Sequence, residues 1–487
     1  MIRQLLRPAF FILLSVAWGC AVNPATGQRE LSFVSEAQEI QMGRQADPAA
    51  TAQFGGLYPD DDLQAYITDL GMSIADISER PALPWSFKLV DHELINAFAL
   101  PGGFIYITRG ILANMNSEAE LVAVLGHEVG HVTARHSAQQ ITQQQLGMIG
   151  LIGGAILSET VRNNSDAFMQ ALQLLSLKYG REDEAQADEL SYRYMLRTEY
   201  NPAGISDVMR MLESTSPSAE EMGVPGWMLS HPQPGDRVAA NERRLARAEQ
   251  DFGDYRIARD EFLARLDGLV YGEDPRQGYF IGQRFIQPQL AVELTFPAGW
   301  NTQNSPQRVQ AAAPGNNAVM QLSLAEAASP AAALADFQQQ QGLTFNQSNR
   351  QTLNGLEVAW AEFSVTPPEG QQGNPVRGLV LYALKDAIVY QVIGYTLADQ
   401  WATTGTDLAE AIMSFSPVTG ARYRDVSPHR IDLVRLNRAM TARDFLRRFP
   451  STVDDQSVLL ANQVDADERL ERGRLMKQIT GGRVPDS

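Results

Sequence analysis

The chain has 487 residues, of which 44% are hydrophobic and 20% are charged, and its formal net charge is −17. A chain of this length usually divides into about three domains. The excess of negative charge argues against a nucleic-acid-binding protein and against broad adhesion to anionic membrane surfaces.

Residues 1–19 are typical of a secretory signal peptide rather than of a folded element. Arg3 and Arg7 form a basic region, and an apolar run from Ala9 to Trp18 follows it. The run is shorter than a usual transmembrane span. We therefore exclude these residues from the predicted fold.

Cys20, the only cysteine, directly follows the predicted signal peptide. The arrangement resembles a bacterial lipoprotein signal, in which the cysteine carries the lipid, so we predict lipidation at Cys20. Ala21 follows it rather than Asp, which by resemblance to lipoprotein sorting implies the periplasmic face of the outer membrane. Trp18 is unusual in such a signal, and an ordinary signal peptide or a membrane anchor with an incidental cysteine stays an alternative.

Residues 127–131 read His-Glu-Val-Gly-His, an H-E-x-x-H sequence. On a helix His127 and His131 share one face, with their Cβ atoms about 6 Å apart. Two imidazoles so placed can hold one Zn²⁺, and Glu128 can act as general base toward an attacking water.

The surrounding residues predict that this sequence lies on a helix. Ser117 and Glu120 form a capping signal. An apolar face follows at helical spacing: Leu121, Val124, Leu125 and Val129. The alternative is a core helix with two incidental histidines. Histidine occurs only 6 times in the chain, so a chance match is rare and we favour the metal site.

Two strands are predicted before this helix, at Trp85–Val90 and Phe104–Thr108. An extended peptide could pair with the edge of their sheet, and we predict that Asn96, Ala97 and Phe98 bind substrate there. The alternative is that the strands only support the helix.

A catalytic zinc site needs a third protein ligand. Glu184 and Asp188 are four residues apart, so on a helix they share a face. Glu184 would be the ligand and Asp188 would accept a hydrogen bond from a ligand histidine. Glu182 and Asp183 are competing carboxylates.

Three motifs together resemble the HtpX/CAAX-prenyl-protease family of gluzincin zinc metallopeptidases, and more closely its soluble periplasmic branch of BepA-like lipoproteins. They are the stretch that begins at Asn96, the H-E-x-x-H helix that ends in Arg135 and His136, and the run from Arg181 to Asp188. The resemblance covers about residues 30–250. It implies that Glu184 is the third ligand and that each chain binds one zinc ion.

The same resemblance marks His231 and Arg237 as elements of the active site. We predict two alternative roles for His231: stabilising the oxyanion of the reaction, or binding zinc as a fourth ligand that closes the site. Arg237 would orient the loop or a nearby carboxylate. A third alternative is that His231 only caps the following helix. His92 and His136 are expected to be structural or exposed.

The run from Leu146 to Leu157 and a segment from Phe168 to Leu177 predict two helices between the ligand helices. Both are expected in the core, with a lid or a client-docking surface as the alternative.

The composition changes after about Phe280. Strands are predicted at Glu357–Val365, Gly378–Leu384 and Ala387–Ile393, with helices at Ala331–Gln341 and Asp407–Ser414. Residues 428–480 faintly resemble a LysM module, and Gly481–Ser487 is expected to be disordered.

The predicted fold class is multidomain, with a mainly α zincin-type metalloprotease domain that contains a small β-sheet. A small α+β domain and a short C-terminal module follow it. The boundaries are 1–19 for the signal peptide, 20–30 for a linker, 31–270 for the protease domain, 280–418 for the α+β domain and 428–480 for the module.

The predicted function is that of a zinc endopeptidase acting on unfolded or misassembled envelope proteins, with no nucleic-acid partner. A chaperone or assembly factor that uses the protease fold for binding is the main alternative. A cell-wall-associated scaffold would rest on the C-terminal domains alone.

Overall fold

The computed structural model describes residues 20–152, 174–175, 177–215, 231, 234–366 and 374–485. These residues form two compact units. The first contains the described residues up to Gly272 together with Arg430–Thr480, and the second contains Glu273–His429 and the residues from Gly481 onward. The predicted signal peptide, residues 153–157 of the run from Leu146 to Leu157 and most of the segment from Phe168 to Leu177 lie outside the described residues.

The first unit combines helices with two small sheets in the part of the chain before Gly272. Its strands are β1 Cys20–Val22, β2 Arg29–Leu31, β3 Ser86–Val90, β4 Ala97–Leu100, β5 Phe104–Thr108 and β6 Val270–Tyr271. Its helices are α1 Glu36–Gln53, α2 Asp61–Ala75, α3 Arg109–Asn114, α4 Glu118–Thr133, α5 His136–Ile152, α6 Arg181–Arg197, α7 Ala203–Ser214, α8 Pro234–Arg247 and α9 Arg259–Arg265.

Helix α4 carries the H-E-x-x-H sequence, as predicted. Ser117 is its N-cap, and the Ser117 hydroxyl accepts a hydrogen bond from the Glu120 N–H at 3.2 Å. The Glu120 carboxylate accepts the N–H of Asn116 at 3.0 Å, one residue before the cap. Nearly every residue of α4 is buried, so packing as well as capping fixes its position.

Helices α4 and α6 pack closely because glycine lies between them. A Cβ atom on Gly130 would be 3.2 Å from the Cα and carbonyl oxygen of Ala187, and a Cβ on Gly126 would be 3.1 Å from the Ser191 hydroxyl. The two helices carry the predicted zinc ligands, so this contact brings the ligands together.

The sheet beside α4 has the order β3-β5-β4. Strand β5 runs parallel to β3 and antiparallel to β4, so it lies in the centre of the sheet. A peptide therefore cannot add to β5. The edge strand nearest to α4 in sequence is β4, which contains Ala97 and Phe98.

The second unit is built on one antiparallel sheet of seven strands in the order β10-β11-β12-β16-β15-β14-β13 and a four-stranded sheet in the order β17-β9-β8-β7. The strands are β7 Tyr279–Ile281, β8 Arg284–Gln287, β9 Val292–Thr295, β10 Asn301–Ser305, β11 Arg308–Ala312, β12 Ala318–Ala325, β13 Leu343–Leu353, β14 Leu356–Val365, β15 Val376–Lys385, β16 Ile388–Leu397 and β17 Ser416–Pro417. Two helices pack on the large sheet, α10 Pro330–Gln338 and α11 Trp401–Met413.

The chain then returns to the first unit. The returning elements are β18 Ser427–Arg435, β19 Met440–Thr441, α12 Ala442–Arg448, α13 Asp455–Asn462, β20 Arg469–Leu470 and β21 Leu475–Arg483. Strand β18 lies between β21 and β6 in a three-stranded sheet. Residues 430–480 are therefore not a separate module, which differs from the prediction, because their sheet includes a strand from the protease region. The resemblance to LysM stays a prediction.

One further difference concerns the end of the last strand. Gly481–Arg483 belong to strand β21, so the expectation of disorder from Gly481 onward was wrong for these three residues. Among the described residues, no helix combines the length and the apolar character that a membrane span requires.

Candidate metal centre

The two histidines of the H-E-x-x-H sequence meet at one point. The Nε2 atoms of His127 and His131 lie 2.9 Å apart, and Glu184 reaches the same point from α6. One donor atom from each of His127, His131, Glu184 and His231 can be chosen so that all four lie within 4.8 Å of one another. The described residues thus converge as the sequence predicted.

Glu184, rather than its neighbouring carboxylates, faces the histidines. Its oxygens lie 3.5 Å from the Nε2 atoms of His127 and His131. Asp183 instead accepts the Gly180 N–H at 3.0 Å, and Glu182 is exposed. Burial opposes the charge on Glu184, but His231 and Arg237 outweigh it and hold the pKa of the Glu184 carboxyl well below its usual range.

Asp188 lies beside His127, in the position that its predicted role requires. Its Oδ1 lies 3.0 Å from His127 Nδ1, and both of its oxygens accept hydrogen bonds from Arg237, at 2.8 and 2.7 Å. Burial is again opposed by the guanidinium, which lowers the pKa of Asp188 to about 2. Arg237 Nη1 also lies 2.7 Å from Glu184 Oε2, so this arginine connects the ligand carboxylate and the orienting carboxylate.

Two residues around His131 were not anticipated. His136 is fully buried, and its Nδ1 lies 2.8 Å from His131 Nδ1. The Tyr179 ring stacks on the His131 ring with a centroid distance of 3.9 Å. The expectation that His136 is structural or exposed thus missed its contact with a predicted ligand. The signals available were the five-residue spacing from His131 and the place of His136 at the end of the motif that carries the family resemblance.

Glu128 and His231 also lie close to the two ligand histidines. Glu128 is 2% exposed, and its Oε2 has no hydrogen-bond partner among the described residues. Burial raises the pKa of the Glu128 carboxyl. His231 Nδ1 lies 2.8 Å from Glu184 Oε1, while His231 Nε2 is 3.6 Å from Glu128 Oε1.

A cavity opens beside Glu128 and His231. Asn96, Ala97 and Arg237 contribute to its lining, and its remaining walls are mostly apolar: Ile111, Val124, Ile205, Val208, Met209 and Leu212. The Asn96 Oδ1 atom is buried without a hydrogen-bond partner in the described part of the chain. It is therefore available to accept a hydrogen bond from a ligand.

The Phe98 side chain does not belong to this cavity. It stacks on Tyr106 and contacts Phe54, with centroid distances of 4.6 Å in both pairs. Successive side chains of a strand point to opposite faces, so Ala97 faces the cavity and Phe98 faces the core on the other side. The predicted substrate contact therefore does not hold for the Phe98 side chain.

These residues fit a zinc ion. Two imidazole nitrogens at 2.9 Å cannot both carry a proton, and a carboxylate lies beside them. Two or three histidines with one glutamate form a donor set that zinc prefers. The buried Glu128 oxygen without a partner leaves a base next to the point where the donors converge.

The described residues form a candidate metal centre, in which an H-E-x-x-H helix and a glutamate from a later helix supply the donor atoms. The comparisons agree. Residues 61–245, which are less than half of the chain, match the model of Peptidase family M48, whose members depend on zinc.

Three curated relatives show the extent of the similarity. The beta-barrel assembly-enhancing protease of Escherichia coli (strain K12) is 29% identical over 252 residues, which are 47% of this chain and 50% of the relative. The protein of that name from Yersinia pestis is 28% identical over 290 residues, 56% and 55% of the two chains. The mitochondrial metalloendopeptidase OMA1 of Arabidopsis thaliana is 34% identical over 128 residues, 26% of each chain. The chain thus spans about half the length of the assembly-enhancing proteases that it matches.

Proposed function

We propose that the protein is a zinc-dependent endopeptidase of the bacterial cell envelope. Its targets would be misfolded or misassembled periplasmic and outer-membrane proteins. The observation that carries the proposal is the convergence of His127, His131 and Glu184 on one point, with the buried Glu128 beside it. The similarity to the beta-barrel assembly-enhancing proteases supports the envelope as the place of action.

In this proposal, different residues of the chain bind the metal and transfer the proton. Zinc held by His127, His131 and Glu184 would supply Lewis-acid chemistry at the peptide carbonyl. Glu128 accepts a proton from the attacking water and passes it to the nitrogen of the leaving amine. Its burial shields the carboxylate from bulk solvent.

The cavity supports a polypeptide substrate. Asn96 Oδ1 can accept a backbone N–H of the substrate, and the apolar walls can take an apolar side chain. Such side chains are exposed in unfolded proteins and buried in folded ones. This accords with a protease that spares folded neighbours.

Lipidation at Cys20 would hold the protein at the outer membrane. A Cys20→Ser variant tests this part of the proposal. It should lose labelling by a fatty-acid probe and leave the membrane fraction. Membrane retention of an unlabelled wild type would point instead to an uncleaved anchor.

A Glu128→Gln variant tests the chemistry. Glutamine keeps the shape of the side chain but cannot accept the proton, so the variant should bind zinc, fold and fail to cleave an unfolded protein. Cleavage at the wild-type rate would exclude Glu128 as the base. The chaperone alternative is favoured if wild type and variant suppress aggregation equally and neither cleaves.

A further inference from the structure

We propose that His136 and Gln186 are positioning residues that fix the tautomer of His131 through a neutral hydrogen-bond relay. This inference rests on the proposed function, because it concerns the orientation of a zinc ligand. It assigns a role to a pair of residues that the chemistry of cleavage does not itself require.

The relay consists of three buried or half-buried side chains in a row. His131 Nδ1 lies 2.8 Å from His136 Nδ1, and His136 Nε2 lies 2.7 Å from Gln186 Oε1. His131 is 1% exposed and His136 is fully buried. Water therefore does not compete for these ring nitrogens from the bulk solvent, and each must use the partner it has.

The proton positions follow from these contacts. His131 Nε2 points toward His127 and Glu184, so it can bind a metal only when the His131 proton is on Nδ1. This Nδ1–H donates to His136 Nδ1, which must then be unprotonated. The proton of His136 is consequently on Nε2, and it donates to the amide oxygen of Gln186.

The relay ends on a neutral group rather than on a carboxylate. Asp183 Oδ1 is 3.8 Å from His136 Nε2, which is too far for a hydrogen bond. Asp183 is engaged instead with the Gly180 N–H at 3.0 Å and with the Gln140 amide at 3.2 Å.

The two histidine ligands are therefore oriented by different chemistry. Asp188, held by Arg237, places a negative charge behind His127. His136 and Gln186 place only neutral dipoles behind His131. The relay fixes the direction of the His131 ring without adding a further negative charge to a site that already contains Glu128, Glu184 and Asp188.

Zinc affinity measured by competition with a chelator tests the relay in full-length protein. All variants carry Glu128→Gln, which prevents self-cleavage. His136→Leu removes both ring nitrogens and should weaken zinc binding by about 10- to 100-fold. His136→Asn should recover most of the affinity, because its Oδ1 can still accept the His131 proton. Thr142→Val, at a buried position on the same helix without contact to a ligand, should bind zinc as the parent does.

If His136→Leu fails to fold, Gln186→Leu provides a second test of the relay. Gln186 is only half-buried, so its substitution should disturb folding less. It should weaken zinc binding and change the visible spectrum of the cobalt-substituted protein. An unchanged affinity and spectrum in folded His136→Leu and Gln186→Leu would overturn the inference and leave the proposed function intact. So would a His136→Asn variant as weak as His136→Leu. A parent protein that binds no zinc at all would overturn the proposed function, and the inference with it.

Discussion

The negatively charged Glu184 carboxylate lies between Arg237 and the predicted histidine ligands. Its oxygens contact His231 at 2.8 Å and Arg237 at 2.7 Å, and both lie near the ligand histidines. Asp183, one position earlier, points away to cap α6. Because they are neighbours on a helix, Asp183 and Glu184 point in different directions, and only Glu184 faces the histidines. Composition alone cannot predict this difference.

A Glu184→Ala variant should bind zinc more weakly than wild type, because the four-residue donor set loses its only negatively charged member. Asp183→Ala is the matched control and should keep one zinc per chain. Metal analysis of both purified proteins gives the answer. Full zinc content in Glu184→Ala, held as tightly as in wild type, would exclude Glu184 as a ligand.

His231 lies inside the ligand cluster, with Nδ1 facing Glu184 and Nε2 toward Glu128. This position supports the hypothesis of a fourth ligand that closes the site. On that hypothesis, His231→Ala should raise the basal cleavage of an unfolded protein and change the coordination spectrum. Loss of activity would favour the oxyanion role instead. An unchanged rate with an unchanged spectrum would exclude both.

At the scale of elements, the contact between α4 and α6 determines the distance between the ligands. The Gly130 position is tight for a side chain, since a Cβ would lie 3.2 Å from the Ala187 backbone and α6 would have to give by a few tenths of an ångström. Overpacking of this kind typically costs about 1–3 kcal/mol.

Gly130→Val should therefore lower the thermal unfolding midpoint and weaken zinc binding, because α6 must move away with Glu184. Ala185→Val places a valine side chain on the exposed face of α6 and should change neither quantity strongly. The comparison requires thermal unfolding with and without zinc. A Gly130→Val variant with wild-type zinc affinity would show that the helix contact does not set the site.

The elements that the sequence predicted share strong local signals. Helix α4 has a capping residue and an apolar face, and β14 to β16 are rich in β-branched and aromatic residues. Strand β13 was missed because its residues from Asn346 to Thr352 are polar on both faces. An edge strand that is exposed on both faces does not alternate in hydrophobicity, so periodicity does not reveal it.

The same limit applies within the site. The pairing of His127 with His131 follows from helical spacing, which is a local property, whereas the choice of Glu184 over Glu182 and Asp183 rested on the family resemblance. His136 was not assigned, because its contact with His131 depends on the turn at Arg135, a residue with a positive φ of 62°. The geometry of such a turn is not encoded in a periodic pattern.

At the scale of the whole molecule, the segment 430–480 completes the unit that carries the metal centre. Lys477 is fully buried, and its Nζ donates to the carbonyl oxygens of Ala113 at 2.7 Å and Ala461 at 3.0 Å, as well as to that of Met115. Gln463 donates to the Glu120 carboxylate at 2.7 Å, in the first turn of α4. Except for the bond to Ala461, these contacts join residues more than 340 positions apart in the chain, so no local pattern in the sequence predicts them.

A Lys477→Met variant should destabilise the first unit by about 2–4 kcal/mol, because three buried carbonyl groups lose their donor. Lys385→Met is the matched control in the second unit, where Nζ donates to the Leu290 carbonyl at 2.9 Å. In calorimetry, zinc should raise the unfolding temperature of the first unit, and Lys477→Met should lower that same unfolding temperature. If Lys477→Met leaves that transition unchanged, the segment does not stabilise the metal-binding unit.

The central claim is that this arrangement cleaves polypeptides through one bound zinc ion. The most direct measurement is cleavage of an unfolded protein by the purified wild type, first as isolated, then after a chelator and finally after zinc is returned. We expect cleavage to stop with the chelator and to return with one zinc per chain. Cleavage that continues after complete removal of the metal, or a zinc-loaded wild type that never cleaves, would contradict the claim.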